Sequence, residues 1–176
     1  MNEFTLNTNE LSKFSKRIHA GDKIILSGKV YTARDAAHKK IAELINDEKE
    51  LPFELKEAVI YYAGPTPAPE GLAVGSCGPT TSSRMNIYSP LLFDLGVRCT
   101  IGKGPVSKDV CDSIIKNNAI YLCAIGGAGA LAASCITKCE VIAFSELGCE
   151  SIKLLEFNNF PLICGVDCCG GNIFEK

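Results

Sequence analysis

Across its 176 residues the chain has no run approaching eighteen consecutive apolar residues, so no membrane-spanning helix is expected. Its first residues, MNEFTLNTNE, lack the basic start and apolar stretch of a secretory signal peptide. An excess of one charge is missing too. Eighteen Lys and Arg stand against twenty Asp and Glu, a formal −2, so no basic field favours nucleic acid or an anionic membrane surface. There is no C-x-x-C, no internal repeat, no low-complexity tract and no linker. A cytoplasmic protein with a single domain over residues 1–176 is expected.

Cysteine is the residue in surplus, with ten. Their closest spacings include Cys135/Cys139 and the adjacent Cys168/Cys169, and match no zinc or iron–sulfur loop. Without a sign of export, a disulfide framework is not expected. Most read as small buried hydrophobes kept reduced, with Cys77 and the 168/169 pair left open. The non-enzyme alternative is a cysteine-rich metal-binding or redox module.

Elements alternate at short spacing. Residues 22–31 read as two short strands about a Ser-Gly turn, and 33–50 as a helix with Thr32 and Asp35 in capping-box spacing. AVIYYAG and GLAVGSC read as strands, followed by a helix from about Thr80 to Leu95 with Pro90 as a possible kink. VRCTIGKG is strand then turn, and a helix follows with Ser107 as N-cap. AIYLCAI is a buried strand, GGAGALAASCI a small-residue helix, and CEVIAF, KLLEF and PLICGVD are strands. The pattern predicts α/β with a mixed sheet or two sheets.

Three stretches carry chemistry. On the first long helix, Arg34, His38, Ile41 and Ile45 share one stripe, opposite Lys39, Glu43 and Asp47. The stripe that should face the core turns cationic over its first two turns, as in a helix that lines a cavity. GSCGPTTSSRMN places four consecutive hydroxyls, Thr80 to Ser83, and Arg84 at a helix start, more than the single hydroxyl an N-cap uses. With that start, Thr80 and Arg84 share a face, and Arg84 can grip a carboxylate bidentately. IGKG sets Lys103 between two glycines at a strand end, where α/β sheets bind ligands. Arg34, Arg84 and Lys103 together match the needs of a small dianion such as a C4 dicarboxylate. Gly127, Gly129 and Ala132 also fit G-x-G-x-x-A, with Glu146 at the distance of a ribose-binding acid. That motif falls too late in the chain for a dinucleotide domain, and tight small-residue packing is the expected reason for it.

Taken in order, GDKIILSGKVYTARDAAHKKI, YYAGPTPAPEG, GSCGPTTSSRMN, IGKG and GGAGAL resemble the β subunit of class I iron–sulfur fumarases and L-tartrate dehydratases, over almost the whole chain. The same unit is the C-terminal domain of single-chain class I fumarases. The resemblance implies α/β architecture as a swivelling β/β/α three-layer domain with mixed sheets. It implies an α subunit that carries a [4Fe–4S] cluster, none bound by this chain, and an α2β2 heterotetramer. The implied reaction is reversible hydration of fumarate to malate, with tartrate dehydration as the alternative. By the same resemblance Thr80 is the catalytic base and Thr81 and Arg84 bind substrate. Arg34, His38 and Lys103 match the family's arginine, histidine and glycine-flanked lysine. His38 is the candidate relay for the Thr80 proton. No metal ligand is assigned in this chain.

Overall fold

The structure is a computed structural model that describes residues 1–175. Its first half runs β1 (Glu3–Asn7), a 3-10 turn (Thr8–Glu10), α1 (Leu11–Phe14), a second 3-10 turn (Ser15–Arg17), β2 (Lys23–Thr32), α2 (Asp35–Asn46) and β3 (Val59–Tyr61). A 3-10 helix (Ser82–Met85), α3 (Ser89–Asp94), β4 (Cys99–Gly102), α4 (Lys108–Lys116) and β5 (Ile120–Cys123) follow. The chain ends with α5 (Gly129–Ser134), β6 (Ile136–Ala143), a 3-10 segment (Ser145–Glu150) and β7 (Ile152–Val166).

All seven strands belong to one mixed sheet, in the order β1-β2-β3-β4-β5-β7-β6. Strands β1 to β5 run parallel, and β7 lies antiparallel to both β5 and β2. That double pairing closes β2, β3, β4, β5 and β7 into a five-stranded barrel, with β1 and β6 attached outside. Closure leaves those five strands without a free edge.

Side-chain alternation along the strands separates two cores. Leu26, Val59, Ile101, Leu122 and Phe157, one from each barrel strand, pack together in the interior. Ile60 and Tyr121 face the other way, onto Ile41 of α2, Phe93 of α3 and Ile114 of α4. Each aliphatic side chain so buried contributes roughly 1.5–3 kcal/mol. The C-terminal ends of β2, β3, β4 and β5 therefore lie on the same side, and Arg34, Tyr62, Lys103 and Gly126 follow them within three residues.

Several local expectations are corrected. Residues 23–32 form one strand, because β7 pairs with its whole length and absorbs a register shift between Leu26 and Gly28. KLLEF and PLICGVD likewise merge into β7, held by neighbours on both sides. GLAVGSC forms no strand. The helix expected from Thr80 is a four-residue 3-10 helix from Ser82, then α3 with Pro90 in its first turn, where proline needs no kink. Thr80 and Arg84 therefore do not share a helical face. The Thr32–Asp35 capping box is absent too. Arg34 is the N-cap of α2 and Thr32 is buried at the end of β2, its hydroxyl engaged with Ser151 and Lys153.

Candidate active site

The six expected residues gather where the parallel strands end. Lys103 follows β4 and pairs by a parallel bridge with Thr81, and the Ser82 amide donates to the Lys103 carbonyl at 2.9 Å. The Thr80 amide donates to the Tyr62 carbonyl at 2.6 Å, fixing the Thr80–Thr81 backbone beside β3. The Tyr62 ring meets His38 edge-on at 5.4 Å between centroids. On the next element, Arg84 Nε donates to Asp35 Oδ1 at 2.8 Å, tying the 3-10 helix to the start of α2. One of the hydroxyls is structural: Ser82 is buried and bonds to Tyr121, whose hydroxyl donates to the Gly104 carbonyl. A side chain at Gly102 would collide with Ser82 and Tyr62, so that glycine makes room for this network and not for a ligand.

His38 is 1% exposed, far from the half-open lining residue its stripe implied. Its Nδ1 lies 2.9 Å from the Arg34 carbonyl, which can only accept, so Nδ1 carries the proton. Nε2 is then a lone-pair acceptor, and it is buried with no hydrogen-bond partner among the described residues. Burial pulls the His38 pKa down to about 4, against smaller opposing effects of the Arg34 carbonyl and Asp35. The ring is therefore neutral at physiological pH. The unfolded chain takes up this proton below about pH 6.5 while the native chain does not, so the native state loses stability as pH falls from 6.5 to 4. A 2.5-unit difference corresponds to about 3 kcal/mol. Chemical denaturation at pH 7 and pH 4 is expected to show a stability loss about 3 kcal/mol smaller in His38→Phe than in the wild type.

The two arginines already hold carboxylates. Arg34 Nη2 lies 3.3 Å from Glu150 Oε1, and Arg84 is bound to Asp35 and half exposed. Lys103, its stem against Gly126, makes no side-chain hydrogen bond or ion pair among the described residues. Four buried side-chain atoms are without a hydrogen-bond partner among those residues: Arg34 Nε, Asp35 Oδ2, His38 Nε2 and Asn86 Oδ1. Three belong to one turn at the start of α2, and Asn86 closes the 3-10 helix that docks on it. A buried polar atom left unpaired costs on the order of 1–3 kcal/mol, so four of them in one place call for a partner outside the described residues, water or ligand.

Asp35, Asn86 and Glu150 were not singled out from the sequence. Asp35 looked like a helix cap. Glu150 is 116 residues from Arg34, and no local pattern links them. The glycine-rich turn finds a packing role: a side chain at Gly129 would collide with the Ser76 hydroxyl, and Cys77 donates to the Gly129 carbonyl. Glu146 pairs with Lys40.

The residues present do not fit a [4Fe–4S] cluster. All ten cysteines are free thiols, and burial raises the pKa of Cys77, Cys99 and Cys164, opposing the thiolate form a cluster needs. Among the described residues the one grouping with metal-ligand spacing is His19, Asp167 and Cys169. Its carboxylate already accepts three backbone amides, from Ala20, Cys169 and Gly171.

The chain is 39% identical, over 99% of its length and 92% of the relative's, to a Methanocaldococcus jannaschii protein named for the L(+)-tartrate dehydratase subunit beta. It is 41% identical to fumarate hydratase 2 of Leishmania major over 89% of the chain. It is also 41% identical to the anaerobic class I fumarate hydratase of Escherichia coli K12 over 88%. In both fumarate hydratases the match spans 28% of the relative's own length. The family model described as Fumarase C-terminus matches residues 1–176, and the chain belongs to that family.

Proposed function

We propose that this chain is the β subunit of an iron–sulfur hydro-lyase that hydrates fumarate to malate reversibly, its site completed by a cluster-bearing α subunit. The observation that carries this reading is the set of unpartnered buried atoms at the start of α2, beside Arg34 and Arg84, with Lys103 bridged to Thr81 on the neighbouring strand end. Arg34, Arg84 and Lys103 would hold the two carboxylates, with Thr81 beside Lys103 contributing a hydroxyl. As the C–H proton leaves, charge grows on the adjacent carboxylate, and fixed cations stabilise that form more than the ground state. Thr80 takes the C–H proton as its own hydroxyl proton passes to the neutral Nε2 of His38, the candidate relay, with the neighbouring cations favouring the charged oxygen. The cluster, seated on the partner because this chain offers no nest for it, would supply Lewis acidity for the hydroxyl.

The need for a partner is supported by two exposed isoleucines near the site. Ile87, three residues from Arg84, is 78% exposed, and Ile125, next to Gly126 and the Lys103 stem, is 62% exposed. Exposed apolar side chains close to the cations suit contact with a second subunit. In this reading the domain swivels as a unit against the α subunit, and the free thiols suit a reducing cytoplasm. A tartrate dehydratase β subunit is the second reading, favoured by the name of the relative that matches nearly end to end.

The test is anaerobic co-expression with the α subunit, following fumarate loss and tartrate dehydration separately. Turnover of fumarate by the complex, and by neither subunit alone, is the expected result. Turnover of tartrate alone would establish the second reading, and activity of the isolated chain would overturn both.

A further inference from the structure

We infer that Glu150 is a positioning residue for Arg34, holding its guanidinium in place before substrate arrives; the inference rests on the dicarboxylate reading above. One carboxylate performs two tasks here. Oε1 lies 3.3 Å from Arg34 Nη2, and Oε2 accepts the Ala36 amide at 3.2 Å. Ala36 is in the first turn of α2, whose N-cap residue, Arg34 itself, supplies no side-chain cap. Glu150 therefore caps the helix and ties down the arginine that precedes it. The contact engages Nη2 and leaves the buried Nε without a partner among the described residues. The guanidinium is anchored at one corner with a donor still free.

The loop that carries Glu150 is itself pinned. Lys153, a buried lysine with no carboxylate partner among the described residues, donates from Nζ to the carbonyls of Gly148, Cys149 and Ser151, at 3.1, 3.1 and 3.3 Å. It also donates to the Ser151 hydroxyl at 2.7 Å. The Lys153 amide donates to Thr32 Oγ1 at 3.0 Å, and the Thr32 hydroxyl donates to the Ser151 carbonyl at 3.3 Å. Thr32 is two residues before Arg34, so the far loop is joined to the segment whose side chain it orients. A long arginine held this way has less freedom to lose on binding, and preorganisation of that kind appears as affinity.

The experiment measures equilibrium binding of succinate, a saturated C4 dianion that cannot be hydrated, to the assembled complex. Glu150→Gln is the variant of choice, because one amide oxygen can still accept the Ala36 amide. It is expected to weaken succinate binding about tenfold in the wild-type background and less than twofold in an Arg34→Ala background. Equal losses in both backgrounds, or unchanged affinity with a lowered melting temperature, would reduce Glu150 to a helix cap and overturn the inference. Absence of succinate binding by the wild-type complex would overturn it as well. Binding and coupling as expected, with no turnover of fumarate or tartrate, would sink the proposed reaction alone and leave the role of Glu150 standing.

Discussion

Thr80→Ala in the assembled enzyme is expected to lower kcat by about 10²- to 10⁴-fold, the range of a lost general base, with KM changed no more than a few-fold. The backbone at Thr80 is held by its own amide on the Tyr62 carbonyl, so the substitution removes the hydroxyl and leaves the chain path intact. Thr80→Ser keeps the oxygen on the same backbone and should recover most of the activity. Steady-state kinetics of the two variants, with fumarate as substrate, provide the check. Near-wild-type turnover in Thr80→Ala would remove Thr80 from the chemistry and direct attention to His38, whose buried Nε2 is an acceptor without a partner among the described residues.

Lys103→Met is expected to reduce kcat/KM by about 10- to 150-fold, the equivalent of one charge-assisted hydrogen bond of about 1.5–3 kcal/mol. Lys103 differs from the two arginines in having no carboxylate partner among the described residues, whereas Arg34 pairs with Glu150 and Arg84 with Asp35. A substrate carboxylate that binds an arginine must share it with a resident anion. One that binds Lys103 gains the full charge, so its loss has no local compensation. The bridge between Thr81 and Lys103 is made by backbone, so the methionine variant keeps the Thr81 geometry. Loss expressed mainly in KM would place Lys103 in ground-state binding; equal losses in kcat and kcat/KM would place it on the developing charge. An unchanged kcat/KM would remove it from the site.

Much of the candidate site was legible because its signals are local. Too many hydroxyls ahead of Arg84, a lysine between glycines at a strand end, and a helix stripe that turns cationic are all short-range departures from what a cap, a turn or a core face needs. The residues they single out do converge at the ends of the parallel strands. Secondary structure was readable to the same degree: β3, β4, β5, α2 and α4 fall where periodicity and turn residues put them.

What stayed hidden depends on pairings between distant segments. Whether residues 22–31 make a hairpin or one strand is decided by β7, more than a hundred residues later, which pairs along β2 and closes the barrel. The same closure sets the segment before β7 against the start of α2. Only there does Glu150 meet Arg34, and only there does Asp35 become a partner of Arg84 and not a helix cap. The isolated chain can read propensity and period residue by residue, since those depend on neighbours in sequence. Which carboxylate neutralises which cation, and which buried atoms are left unpaired, depends on loop closures whose entropy is repaid only when the whole sheet forms.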